Sequence, residues 1–164
     1  QIAKILKAGK VIILDQAELP IILADKAGAN LMLNSKELSH SEIHDEVLKT
    51  TNGVLPTSIF DTVGSQESFD LGITLLGKTG TYVNVAVHDL QLNVNALSIA
   101  SEKIITSSCN FDTIDYEDTL RWLEEGRIKV DDWIHRISLQ DVPDIFLKLI
   151  QDQKKEIFKV CISF

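Results

Sequence analysis

What most constrains this sequence is a repeating alternation of short apolar runs with longer amphipathic ones, sustained to about residue 108. Val11 to Leu14 is a continuous β-branched and leucine run that stops at Asp15. A run apolar on both faces is how a buried parallel strand reads. Ala17 to Ala27 follows as a helix, with Pro20 tolerable in its first turn and Gly28 closing it. Leu31 to Leu33 reads as a strand, and Ser39-His40-Ser41-Glu42 opens a helix with Ile43, Val47 and Leu48 inward and Gly53 at its end. Ser58 to Phe60 is a strand running into Asp61-Thr62-Val63-Gly64, and Gln66 to Leu76 a helix with Phe69, Ile73 and Leu76 on one face. Beyond Gly80 come a strand at Thr81 to Val87, a short extension at Leu90 to Val94, a short helix at Ala96 to Ser101 and a strand at Ile104 to Thr106. A helix at Gln1 to Lys7 precedes them all. Strands separated by helices are joined by crossovers, so the expected class is α/β, a parallel sheet covered by helices.

After residue 108 the pattern becomes α+β. Asp115 is placed to cap a helix with Tyr116, Leu120 and Leu123 inward, ended by Gly126. Arg127 to Val130 and Trp133 to Ser138 read as short strands. Asp141 is placed to cap a helix with Val142, Ile145, Phe146, Leu149 and Ile150 at core spacing, and Ile157 to Phe164 closes as a strand.

Charge and composition remove whole classes of function. With 16 Lys and Arg against 24 Asp and Glu the net charge is -8, which argues against a phosphate-neutralising, nucleic-acid-binding surface. No apolar run approaches the ~20 residues of a membrane span, so no membrane partner is expected. Cys109 and Cys161 make neither a zinc site nor a disulfide framework by themselves, and a reducing cytoplasm is the expected location. The chain opens Gln1-Ile2-Ala3-Lys4, with no signal-peptide pattern, and reads as a fragment.

Several motifs resolve to bland readings. Gly72-Ile73-Thr74-Leu75-Leu76-Gly77-Lys78-Thr79 satisfies the Walker A pattern, but a phosphate loop follows a strand and opens a helix, and here the order is reversed. His40 and His44 share a helix face without a third ligand, and read as a solvated face. His88 and His135 stand alone, no Gly-x-Ser-x-Gly elbow appears, and Asp131-Asp132 reads as a turn. Asp15 has two readings. An acid at the carboxyl end of a buried parallel strand matches the ribose-binding acid of a dinucleotide fold, or it caps the next helix.

The order of the pieces favours the first. Lys10-Val-Ile-Ile-Leu-Asp15, Ala24-Asp-Lys-Ala-Gly-Ala29, Phe60-Asp-Thr-Val-Gly64, Gly80-Thr-Tyr-Val-Asn-Val-Ala-Val87, the run from Asp115 to Lys129 and Phe158-Lys-Val-Cys-Ile162 stand in one sequence. That ordered set resembles the C-terminal half of the medium-chain dehydrogenase/reductase superfamily, the zinc-type alcohol and polyol dehydrogenases. Val83-Asn-Val-Ala-Val87 and Glu125-Gly-Arg-Ile-Lys-Val-Asp-Asp132 resemble the butanediol and sorbitol dehydrogenase branch. The resemblance implies a Rossmann coenzyme domain over residues 1–108 and, over 109–164, the C-terminal part of the catalytic domain. It implies NAD as cofactor and a small-molecule alcohol or polyol as substrate. Asp15 would hold the adenosine ribose and favour NAD over NADP. Thr62 and Val63 would line the cofactor groove, Val85, Ala86 and Val87 would offer backbone to the nicotinamide carboxamide, Ser108 and Asn110 would add nicotinamide-side contacts, and Lys159 would meet the pyrophosphate.

The sequence also departs from the family. The Gly-x-Gly-x-x-Gly loop, the first strand and the catalytic zinc ligands are not among these residues, so no catalytic or metal residue is assigned, and zinc is a property of the parent family only. Pro20 stands where a basic residue often helps the ribose acid, and Ala86 and Ser107 stand where glycines are common. In the family's strand order the missing strand is central, so its neighbours would expose unpaired edges. The chain alone is expected to be poorly stable and inactive. The alternative implied is a truncated, non-catalytic remnant, a cofactor-binding or dimerisation module, with Leu90 to Ile105 as the surface of a homo-oligomer. A third is a zinc-free, quinone-reductase-like relative, against whose usual NADP preference Asp15 argues.

Overall fold

The computed structural model describes residues 1–151 and 156–164. In chain order its elements are α1 (Ile2–Ile5), β1 (Ile12–Asp15), α2 (Glu18–Lys26), β2 (Leu31–Asn34), α3 (His40–Thr50), β3 (Ser58–Asp61), α4 (Gln66–Leu75), β4 (Thr81–Asn84), β5 (Ile104–Ser107), α5 (Thr113–Glu124), β6 (Ile134–Ser138), α6 (Val142–Gln151) and β7 (Lys159–Ser163). Short 3₁₀ turns lie at Ala96–Ile99, Asp131–Trp133 and Leu139–Asp141. The fold is α/β, and every strand pairing is parallel: β1 with β2, β3 with β4 with β5, and β6 with β7. This is the Rossmann-like arrangement expected when the first strand is missing, since β1 and β3 fall in separate sheets.

The chain divides into two compact units, residues 40–113 and residues 1–39 with 114–164. In residues 40–113 the core is where α4 lies on β4. Phe69, Ile73, Leu76 and Tyr82 are buried together, with Ile59, Leu92 and Ile99 packed against them. Phe69 meets Tyr82 edge to face at 5.2 Å, the arrangement aromatic pairs prefer. Gly72 permits this closeness, because a Cβ there would stand 2.7 Å from the Tyr82 ring. The Walker-like run is thus the end of a helix and the turn after it, with Gly72 serving helix–strand packing. Ile43 and Val47 of α3 are also fully buried.

In the other unit α2 covers the β1–β2 pair, burying Leu23 and Leu33. Gln1 exchanges two hydrogen bonds with the backbone of Lys129, at 2.8 and 2.7 Å, and Lys26 pairs with Asp132 at 3.0 Å. That ion pair is more than half exposed, so it adds at most ~1 kcal/mol. Here burial is sparse: Ile128 and Ile145 are buried, whereas Phe146, Leu147 and Ile150 of α6 are exposed, Ile150 to 78%.

The structure corrects several local expectations. The strand expected over Thr81 to Val87 stops at Asn84: the Val85 N–H makes the last ladder bond, to the Asp61 carbonyl, and beyond it the Ala86 N–H donates to the Asn84 side chain and the His88 and Asp89 N–H groups to the Gly64 carbonyl, off the ladder. Residues 90–94 form no strand, and Arg127 to Val130 is a turn into the 3₁₀ segment. Asp115 lies inside the first turn of α5, which begins at Thr113. Ser138, not Asp141, caps the C-terminal helical segment, through a capping box with Asp141. Tyr116 and Leu120 of α5 and Phe146, Leu149 and Ile150 of α6 are exposed rather than inward. The amphipathic period is real, but the apolar faces it creates are covered only in part: Ile145 is buried, while Phe146, Leu149 and Ile150 stay exposed.

Candidate functional site

The site grows from the carboxyl ends of β3, β4 and β5. In parallel α/β sheets that edge is where the backbone leaves the ladder and its polar groups become available to a ligand. Asp61 is the last residue of β3 and is only 6% exposed. Its Oδ1 accepts from the Val63 N–H at 2.8 Å and the Gly64 N–H at 3.0 Å. Its Oδ2 accepts from the Ser68 hydroxyl at 2.8 Å and from the Tyr82 hydroxyl. Burial pushes this carboxyl up, but the hydrogen bonds from Tyr82, Gly64, Val63 and Ser68 outweigh it and hold the group below the ordinary 3.8. The same burial, with the bond to Asp61 and its charge, pushes the Tyr82 phenol far above the ordinary phenol range.

Gly64 sits at φ 73°, where a side chain is strained, and a Cβ there would strike the Ala86 carbonyl. Its own carbonyl accepts from the N–H groups of His88 at 3.3 Å and Asp89 at 3.1 Å. Asp89 Oδ2 in turn accepts from the Gln66 N–H at 2.7 Å, and its Oδ1 lies 2.9 Å from His88 Nδ1. These bonds, from Gln66 first and His88 second, hold the Asp89 carboxyl below its ordinary value. α4 starts on a Ser65–Ser68 capping box. The loop after β3 and the loop after β4 are therefore tied into one piece.

Seven of the nine residues singled out in the sequence lie on this edge. Thr62 and Val63 are exposed beside β3, and Val85, Ala86 and Val87 follow β4 directly, with Val85 and Val87 exposed. Ser108 continues β5, its N–H donating to the Asn84 carbonyl at 3.0 Å, and Asn110 follows at φ 61°. The other two belong to the other unit. Asp15 ends β1, and its Oδ1 accepts from the Ala17 N–H at 2.8 Å, which fixes the carboxylate at the strand end. That is a turn before the helix rather than a helix cap, since the N-cap position belongs to Ala17. Lys159 begins β7, opposite Ile134, and is exposed. Asp15 and Lys159 share no hydrogen bond. An open concavity in that unit, lined by Arg136, Ser138, Asp141 and Lys148, contains none of the nine.

Reading the sequence misses Asp61, Ser68 and Tyr82, which shape the site without facing it. The available signal is Asp-x-x-Gly leaving an apolar strand, with Ser-x-x-Ser starting the next helix and a tyrosine in the following strand. Zinc is a poor fit to the residues present, because no group of three or more His, Cys, Asp or Glu stands together among the described residues. No helix among them is long and apolar enough to cross a membrane.

Comparison with known proteins gives this geometry a lineage. Residues 1–125 match the family model of the zinc-binding dehydrogenases. An alcohol dehydrogenase of Cupriavidus necator is 24% identical over 166 residues, covering 98% of this chain and 44% of the relative. The D-xylulose reductase of Saccharomyces cerevisiae is 24% identical over 149 residues, covering 89% of this chain and 42% of its own length. An Escherichia coli alcohol dehydrogenase solved with the cofactor NADH superposes with a TM-score of 0.83 at 24% identity, over 99% of this chain and 47% of that one. The chain thus spans less than half the length of the curated relatives it matches. It belongs to the zinc-binding dehydrogenase family and corresponds to the C-terminal half of the zinc-type alcohol dehydrogenases.

Proposed function

We propose that this chain is the coenzyme-binding part of an NAD-dependent alcohol or polyol dehydrogenase. Residues 1–108 supply the partial Rossmann domain, and 109–164 the C-terminal part of the catalytic domain. The observation that carries the reading is the convergence of Thr62, Val63, Val85 to Val87, Ser108 and Asn110 on one carboxyl edge of the β3–β4–β5 sheet. The edge suits a nicotinamide carboxamide: Val87 is exposed and its N–H has no hydrogen-bond partner among the described residues, while the Ala86 N–H donates to the Asn84 side chain and the His88 N–H to the Gly64 carbonyl. Asp15 suits an adenosine ribose, because one oxygen is fixed by Ala17 and the other has no partner among the described residues. Its charge would repel a 2′-phosphate, so NAD is favoured over NADP. Lys159 is assigned to the pyrophosphate as an exposed cation.

When bound, NAD supplies the hydride chemistry at its nicotinamide ring, with a secondary alcohol or polyol carbon as the other partner. What the chain contributes is binding and orientation. No catalytic residue is assigned, no step is routed through zinc, and the chain by itself is expected to be inactive. A cytoplasmic location goes with this reading. A second reading, a non-catalytic cofactor-binding or dimerisation module, is favoured by the open edge of β5, where Ile104 and Ile105 are exposed near Leu97 and Leu90 in sequence.

The test is a titration of the purified chain with NADH and with NADPH, read by energy transfer from Trp122 and Trp133. Saturable NADH binding, with NADPH weaker, is the expected result. Binding of neither would sink the coenzyme reading, and concentration-dependent dimerisation without coenzyme binding would favour the assembly module.

A further inference from the structure

We infer that Asp61 is a positioning residue for the nicotinamide half of the coenzyme: its buried carboxylate sets the exposed loop at 62–64 and, through Gly64, the backbone at 86–89. The inference rests on the coenzyme reading above and deepens it.

Asp61 is a buried acid with no cation against it among the described residues. An ionised carboxylate is expensive to bury, and an apolar residue of similar size would fill the space more cheaply. What the carboxylate alone provides is acceptance on both oxygens at once. Oδ1 receives two loop amides, and Oδ2 receives two hydroxyls, one from α4 and one from β4. An amide side chain in the same place would accept on one side and donate on the other. The inward turn of the Val63 and Gly64 N–H groups leaves the Thr62 and Val63 side chains facing out at the strand end. It also presents the Gly64 carbonyl to the N–H groups of His88 and Asp89. Asp61 is itself buried and acts only through the loops it holds.

The experiment compares wild type with Asp61→Asn, using NADH and ADP-ribose as probes. ADP-ribose carries the adenosine and pyrophosphate but lacks the nicotinamide. Loss of one charge-assisted anchor predicts NADH binding weaker by about tenfold, with ADP-ribose affinity changed by less than about twofold. On the unliganded chain, amide hydrogen exchange should accelerate at 62–64 and 86–89, while the buried positions Ile43 and Val47 stay protected. Equal weakening of both ligands, or unchanged NADH affinity, overturns the inference and leaves the coenzyme reading intact. Wild-type binding of neither ligand overturns the coenzyme reading and this inference with it. Should Asp61→Asn fail to fold, Ser68→Ala removes one donor to Asp61, together with the acceptor that its hydroxyl offers the Ser65 N–H at the start of α4. It should weaken NADH by about threefold with ADP-ribose unaffected, and an unselective or null effect overturns the inference.

Discussion

A buried carboxylate without a cation keeps its charge only if donors surround it, and the Asp61 pocket is built to that requirement. Tyr82→Phe removes one donor and leaves an acceptor under-satisfied. The expected loss of stability at neutral pH is about 1–3 kcal/mol, measured by urea unfolding. The pH dependence has a definite sign. Asp61 titrates below 3.8, so its contribution is present above that value and is lost as the pH falls through the lowered one. The gap between wild type and Tyr82→Phe should therefore be widest at neutral pH and narrow below about pH 4; a gap independent of pH would contradict the assignment. Asp15 is the other residue with a sharp expectation. Asp15→Ala should weaken NADH about tenfold and reduce the preference over NADPH, and equal titrations for the two proteins would remove Asp15 from the site. Position 64 is intolerant for a different reason. Gly64→Ala meets both the strained φ and the Ala86 carbonyl, and should cost about 2 kcal/mol or more.

The strands and the helices between them were legible because each follows its own period. The apolar runs ending at Asp15 and Asp61 are strands, and the helix containing Phe69, Ile73 and Leu76 lies where the spacing puts it. Legibility failed where hydrogen bonding rather than hydrophobicity decides. β4 stops at Asn84 although Val85 to Val87 is apolar, and capping falls to Ser138 because its hydroxyl and the Asp141 carboxylate satisfy each other. The Asp61 pocket was hidden for the same reason, since its members are scattered over three elements and no spacing rule joins them. α5 and α6 expose a different limit: a helical period says which face is apolar, not whether anything covers it. The α6 face is open at Phe146, Leu147 and Ile150. Phe146→Glu with Ile150→Lys should therefore change folding stability by less than about 0.5 kcal/mol while reducing binding of a hydrophobic dye. A large stability loss would mean that face is packed in solution.

At the scale of the whole molecule, burial is concentrated in one stretch of chain. Ile43, Val47, Phe69, Ile73, Leu76 and Tyr82 all fall within residues 40–113, whereas residues 114–164 bury only Ile128 and Ile145 among the described hydrophobic side chains. Local stability follows buried apolar contact, so hydrogen exchange should be slowest through α4 and β4 and fast through α5 and α6; uniform protection would refute this. Tyr82 gives the molecule an optical property of its own. It is one of two tyrosines, and the other, Tyr116, is exposed. Because the Tyr82 phenol is held far above its ordinary range, its native-state contribution persists below pH 10.0 and is lost as the solution becomes more alkaline. Its phenolate absorbance in strong base should consequently appear only as the α4–β4 packing opens, so this ring reports the melting of the core by its colour.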